Sequence, residues 1–214
     1  MPMLPRLLVF GSGGHAKVVI DAAEKTERFS EILLVDDAPE TWGNSLIGHK
    51  VIGGRDALQA LDGEQPQVIV AIGHNATRAA VANWLETHGF QLATVIHPSV
   101  QLGKGVEIGA GSFLAAGVVV NCDAILAPHV IVNTAASVDH DCQIGAAVHL
   151  APGCRLCGHV SVGAQSLLGA GVVVIPSVRI GESVLVGAGS TVIDDLADGV
   201  RVVGSPARLL NVEK

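Results

Sequence analysis

Two groups of residues in this chain have types and spacings suited to chemistry. The first is built on histidine, the usual general base near neutral pH, although most histidines are structural. Of the nine in the sequence, His140 is followed at once by the carboxylate of Asp141. That neighbour can orient an imidazole and stabilise it once it is protonated, which is what removing a proton from an attacking amine or hydroxyl requires. The other reading of the pair is an exposed histidine in an acidic patch. The second group is the turn Gly11-Ser12-Gly13-Gly14-His15, between an apolar run (Arg6 to Phe10) and a helical pattern (Ala16 to Lys25). Backbone N–H groups at such a helix start can hold a phosphate without any basic side chain. The full G-x-G-x-x-G fingerprint is not met, because position 16 is Ala. Asp36 and Asp37 close the next strand and suit sugar or base hydroxyls and amines, while Gly73-His74-Asn75 closes another. A nucleotide-containing ligand is expected here, against tight turns that bind nothing.

The elements that position these groups fall into two halves with different periods. Up to about residue 95, strand-like runs (Arg6 to Phe10, Ile32 to Val35, Gln67 to Ile72) alternate with helical ones (Ala16 to Lys25, Ala76 to His88). Parallel crossovers follow from that alternation, so residues 1–95 are expected to form a small Rossmann-like α/β domain.

From Leu102 the period becomes six. Every sixth residue from 102 to 192 is Leu, Ile or Val, and the residue two places earlier is another small or apolar one. Each hexad therefore reads as a short strand with two side chains inward and one outward, then a corner where glycine often follows the aliphatic residue. Three hexads close a triangular coil of 18 residues, and about five coils are expected over residues 96–214. In this geometry His140 lies at a corner, with Cys122 one coil below it and Gly158 one coil above. The absent side chain at Gly158 leaves room beside the ring. His159 stacks one coil above Asp141 and competes for its carboxylate. His149 falls on an outward strand position half a coil from His140. It is either a solvent histidine or, in a closed oligomer, the residue a second chain brings opposite His140. A purely structural solenoid is the other use of such a repeat, but the outward positions, among them Glu107, Phe113, Ser137 and Arg155, are too mixed for a flat ladder.

Composition agrees with this division. Apolar residues make up 49% of the chain, aromatic ones only 3%, and there are 26 glycines, as expected of short aliphatic strands and tight corners. A net charge of -7 without a basic block speaks against nucleic acid or an anionic membrane as partner. The opening residues do not read as a signal peptide and no apolar run is long enough for a membrane span, so the expected location is cytoplasmic. Cys154-x-x-Cys157 has no second ligand pair of matching spacing. The four cysteines are read as packing thiols, with no metal expected and Cys142 pointing inward.

Taken together, several motifs resemble the sialic-acid and bacillosamine type of sugar acetyltransferase. They are Gly11-x-x-Gly14-His15, Asp36-Asp37, Ala71-Ile72-Gly73-x-Asn75, the hexapeptide run, Asn133-Thr134-x-x-x-Val138-x-His140-x-Cys142-x-Ile144-Gly145, and Gly204-x-Pro206-Ala207. The resemblance implies a left-handed parallel β-helix, a homotrimer, acetyl-CoA bound between neighbouring helices, and a sugar nucleotide held by the N-terminal domain. It implies His140 as catalytic base and Asp141 where bacillosamine-pathway members carry Glu. It further implies coenzyme contacts at His149, Gly158, Ala170 and Ala188, and nucleotide-sugar contacts at Gly13, Gly14, His15, Asp36, Asp37 and Gly73. The activity implied is N-acetylation of a nucleotide-linked 4-amino-4,6-dideoxy sugar of the bacillosamine-precursor or perosamine type, with sugar O-acetylation as the alternative.

Overall fold

The fold is described from a computed structural model, over residues 4–61 and 65–210. It divides into two compact units, one running to Pro98 and taking in Ala110–Ser112, the other comprising Ser99–Gly109 and Phe113 onward.

In the first unit, β1 (Arg6–Phe10) is nearly all apolar because it is the central strand, covered on both faces. It pairs in parallel with β2 (Glu31–Val35) on one side and, on the other, with Gln67–Val70, a strand two residues shorter than the sequence pattern suggests. Helix α1 (Gly14–Lys25) starts two residues earlier than expected. Its N-cap is Gly13, which offers no side-chain cap, and the N–H of Ala16 in the first turn donates to Gly13 O (3.1 Å). A second long helix spans Asn75–Thr87. Leu8, Phe10, Val35, Val68, Val81 and Leu85 form the core between sheet and helix. The chain moves from the central strand first to one edge and later to the other. The carboxyl ends of the strands therefore open onto a switch point, the usual place for a ligand in such sheets.

The second unit is a parallel β-solenoid, with about six turns from residue 95 on against the five or so expected from the hexads alone. Its two-residue strands pair 18 positions apart, as Val119↔Ser137, Ile125↔Gln143 and Ile131↔His149 show. The first face carries Gln101–Leu102, Ser137–Val138 and their stacked equivalents. The second carries Gln143–Ile144 and its stack, and the third His149–Leu150 and its stack. Inward residues such as Val120, Ala136, Val138, Cys142, Leu150 and Leu168 are fully buried. Leu102 is 47% exposed, because its strand ends the first face and has a neighbour on one side only.

The corners depart from the sequence reading in one respect. The glycines that follow the aliphatic residues are not there for unusual dihedrals. A β-carbon on Gly145 would lie 2.7 Å from Ala164 N, and one on Gly163 would lie 2.5 Å from Glu182 N, so close approach of the next coil excludes a side chain. The left-handed residue comes two places later and is often not glycine: Asp123, Ala135, Asp141, His159 and Ser177 all have φ between 55° and 65°. Coil-to-coil hydrogen bonds hold them there, as in Asp141 N to Cys122 O (3.1 Å) and His159 N to His140 O (3.0 Å).

Candidate active site

At the corner between the first and second faces, His140 Nδ1 lies 2.7 Å from Asp141 Oδ2. The backbone N–H of His140 donates to Asp139 Oδ1 (2.8 Å), which also accepts from Asn121 Nδ2 (2.8 Å). Those two donors, the Asn121 amide first, hold the Asp139 carboxyl below its ordinary pKa, so it stays ionised beside the imidazole. For His140 the Asp141 hydrogen bond is the largest influence and raises its pKa above 6.5. Desolvation opposes this, and the charges of Asp139 and Asp141 reinforce it. With Nδ1–H given to Asp141, the neutral ring presents a free lone pair on Nε2, the arrangement of a general base. Gly158 supplies the space expected of it. A β-carbon there would lie 2.6 Å from His140 Nε2. His159 reaches the same carboxylate, with Nε2 3.5 Å from Asp141 Oδ2.

His149 stands on the third face, opposite the His140 corner of the triangular coil. Asn133 Oδ1 accepts from Thr134 N (2.8 Å), which turns its amide nitrogen toward His149 Nε2 at 3.2 Å. The imidazole therefore accepts at Nε2, which puts the proton of the neutral ring on Nδ1. Ala170 and Ala188 are exposed one coil apart at a further corner, between the third and first faces. Among the coenzyme contacts inferred from resemblance, the structure brings only Gly158 against His140 within one chain. A broad opening of about 880 Å³ covers the second face, lined by Ile125, Gln143, Ser161 and Arg179 among others, and includes none of the expected site residues. Cys142 is inward, and burial pushes its thiol up to about 11, which leaves no thiolate for covalent catalysis. All four cysteines are free.

In the N-terminal unit, Gly13, Gly14, His15, Asp36, Asp37 and Gly73 all line one cleft of about 870 Å³ at the carboxyl edge of the sheet. A β-carbon at Gly13, Gly14 or Gly73 would meet nothing within 4 Å, so protein packing does not call for glycine at these places. Asp36 is already engaged. Its Oδ2 accepts from Ser12 N (2.7 Å) and Ser12 Oγ (2.6 Å), and its Oδ1 from Ala38 N (2.9 Å), so it shapes the glycine turn. Asp37 takes a fork from Arg55, whose Nη2 is 2.9 Å from Oδ2. The Arg55 guanidinium lies 4.5 Å from the Trp84 ring centre.

Sequence reasoning missed Arg55 and also Arg78. The latter is buried beneath the cleft and donates to the carbonyls of Ile72 (3.0 Å) and Gly73 (3.1 Å) and to Asn75 Oδ1 (2.9 Å). Desolvation lowers the Arg78 pKa to about 10. The available signal was an arginine three residues after Asn75, one turn along the helix. Nothing in the local sequence marked Arg55.

A nucleotide-type cleft at a parallel sheet edge, with an imidazole–carboxylate pair at the corner of a hexad solenoid, defines a hexapeptide-repeat acyltransferase of the sugar-nucleotide kind. Comparison with known proteins gives the family. Residues 6–85 match the PglD N-terminal domain, and residues 96–122 and 159–194 match the hexapeptide repeat of succinyl-transferase. The acetyltransferase domain of PglB from Neisseria gonorrhoeae is 39% identical. That match covers 96% of this chain and all of the other, with a TM-score of 0.92. A mutant of perosamine N-acetyltransferase from Caulobacter crescentus, solved with CoA and GDP-perosamine, is also 39% identical, covering 97% of this chain and 97% of its own, with a TM-score of 0.90. GDP-perosamine N-acetyltransferase of Escherichia coli O157:H7 is 27% identical over 78% of this chain and 76% of its own length. The chain belongs to this family of sugar-nucleotide N-acetyltransferases.

Proposed function

We propose that this chain transfers acetyl from acetyl-CoA to the 4-amino group of a nucleotide-linked 4-amino-4,6-dideoxy sugar, of the GDP-perosamine or UDP-bacillosamine-precursor type. Residues 1–95 hold the nucleotide, with phosphates at the glycine turn before α1. Residues 96–214 carry the transfer. The neutral amine attacks the thioester carbonyl, and His140 Nε2 takes the amine proton as the new C–N bond forms. Asp141 stabilises the imidazolium, and the CoA sulfur leaves as the tetrahedral centre collapses. Charge on the carbonyl oxygen meets a donor, the part given to His149 or to a backbone N–H of the adjacent chain.

His140 and His149 lie on opposite sides of one coil, and Ala170 and Ala188 lie at a different corner from His140. For all of them to meet one acetyl-CoA, two chains must contribute, which favours a homotrimer with shared sites. No described helix is long and apolar enough to cross a membrane. A cytoplasmic location accords with acetyl-CoA and nucleotide sugars as substrates.

The observation that carries this reading is the 2.7 Å His140–Asp141 pair facing the space left by Gly158. Its test is thiol release from acetyl-CoA against UDP-, GDP- and dTDP-linked 4-amino-6-deoxy sugars, with sialic acid as control. Turnover of one amino sugar is expected, with a loss of ~100-fold or more in His140→Ala and retained ligand binding. Turnover of sialic acid alone, or undiminished transfer by His140→Ala, would overturn it.

A further inference from the structure

We infer that His140, Asp141 and His159 form a binding site for a divalent transition-metal ion of the zinc class, and that occupancy reversibly shuts off the base. One ligand atom from each of the three lies within 4.8 Å of the others. Asp141 Oδ2 stands between the two imidazoles, 2.7 Å from His140 Nδ1 and 3.5 Å from His159 Nε2. In a tetrahedral zinc site with bonds of ~2.0–2.1 Å, neighbouring ligand atoms are ~3.3 Å apart. The His159 separation already fits. The His140 separation must open by ~0.6 Å as the carboxylate swings out, and the two imidazole nitrogens, within 4.8 Å of each other, come to that spacing by side-chain rotation, exchanging a hydrogen bond for metal bonds.

The rings are nearly perpendicular, at 88° with centres 5.2 Å apart, so neither stacks over the other and shields its nitrogens. The side chains are 52%, 44% and 61% exposed, which leaves an entry path and an open fourth position for water. Their backbones are fixed by the stacked coils: Asp141 and His159 are successive left-handed residues in one column, each hydrogen-bonded to the coil below. Two imidazoles and one carboxylate suit Zn²⁺, Co²⁺, Ni²⁺ or Cu²⁺ rather than the oxygen-seeking Mg²⁺ or Ca²⁺.

The consequence for catalysis comes from imidazole chemistry and rests on His140 being the base. A metal on Nδ1 displaces the proton given to Asp141, and the neutral ring then carries its one proton on Nε2. The lone pair that would accept the amine proton is gone, and Asp141 is withdrawn to the metal.

The test uses the full chain, freed of metal by a chelator. Zinc titration by calorimetry, with the visible spectrum of bound Co²⁺ as a second readout, should give one ion per chain and a tetrahedral spectrum. His159→Gln and Asp141→Asn should each weaken binding by ~10-fold or more. His88→Gln, a histidine outside the cluster, should not. Transfer is followed by chromatography of the acetylated sugar, since released CoA would itself bind zinc. Zn²⁺ should inhibit the wild type, a chelator should restore it, and the half-inhibiting concentration should rise in His159→Gln measured against its own zinc-free rate. An unchanged binding isotherm in His159→Gln, or no bound ion in the wild type, overturns the site. Zinc bound at these residues without inhibition leaves the site standing and overturns His140 as the base.

Discussion

A β-carbon on Gly158 would stand 2.5 Å from Cε1 and 2.6 Å from Nε2 of His140, one coil below. Because the nearest atoms belong to a side chain and not to backbone, Gly158→Ala can be accommodated only by turning the imidazole away. The mutant should keep its melting temperature within a few degrees, since nothing in the core is touched. Its kcat should fall by ~100-fold, the scale of loss for a reacting group displaced by about an ångström. Paired thermal melts and steady-state kinetics check this. A Gly158→Ala enzyme of full activity would mean that the observed ring position is not the working one.

The pH profile follows from the charges around His140. Only the neutral imidazole can accept a proton, and the Asp141 hydrogen bond raises the His140 pKa above 6.5. The rate should therefore fall as pH drops through a value above 6.5, with the loss complete when the ring is protonated. Asp141→Asn removes the largest raising influence, so the acidic limb of kcat/KM should move to lower pH while the plateau falls. A limb that stays in place would mean that the controlling group is not His140.

The two halves of the fold differ in how openly their sequences declare them. The solenoid was legible because a two-residue strand with one inward aliphatic residue repeats without interruption, so one period sets the pairing of Val119 with Ser137 and of Ile131 with His149. From that register the neighbours of His140 followed: Gly158 above it, His159 above Asp141, and His149 on the far face. The reason for the corner glycines did not follow, because a sequence shows a missing side chain without showing whether dihedral or contact forbids it. At Gly163 it is contact, with Glu182 N of the next coil at 2.5 Å from a notional β-carbon. In the N-terminal unit, strand ends placed Gly13, Asp36, Asp37 and Gly73 at one edge. Arg55 reaches that edge from a five-residue helix, Arg55–Gln59, whose approach is set by tertiary packing and leaves no local pattern.

Arg55 is where selectivity in the N-terminal cleft can be examined. Its guanidinium forks onto Asp37 and lies 4.5 Å from the Trp84 ring centre, so it is oriented before any ligand arrives. Arg55→Ala leaves the Asp37 carboxylate without that cation in the cleft, which disfavours a nucleotide's phosphates. KM for the sugar nucleotide should rise by ~10-fold, about 1.4 kcal/mol of binding, with KM for acetyl-CoA unchanged. Equal changes in both constants would count against separate sites for the two substrates.

Sharing of the site between chains makes the most demanding prediction. His140 is at the corner between the first and second faces and His149 is on the third, so no single coil can present both to one thioester. In His140→Ala chains the base is missing and His149 remains; in His149→Ala chains the reverse holds. After the two are unfolded together and reassembled, an interface is intact when a His149→Ala chain offers its His140 to a neighbour that keeps His149. With random assortment of equal amounts, about a quarter of interfaces meet that condition, so the mixture should recover about a quarter of wild-type turnover. Each parent refolded alone supplies the baseline. A mixture no more active than the better parent would place both histidines' work within one chain, or remove one of them from the reaction.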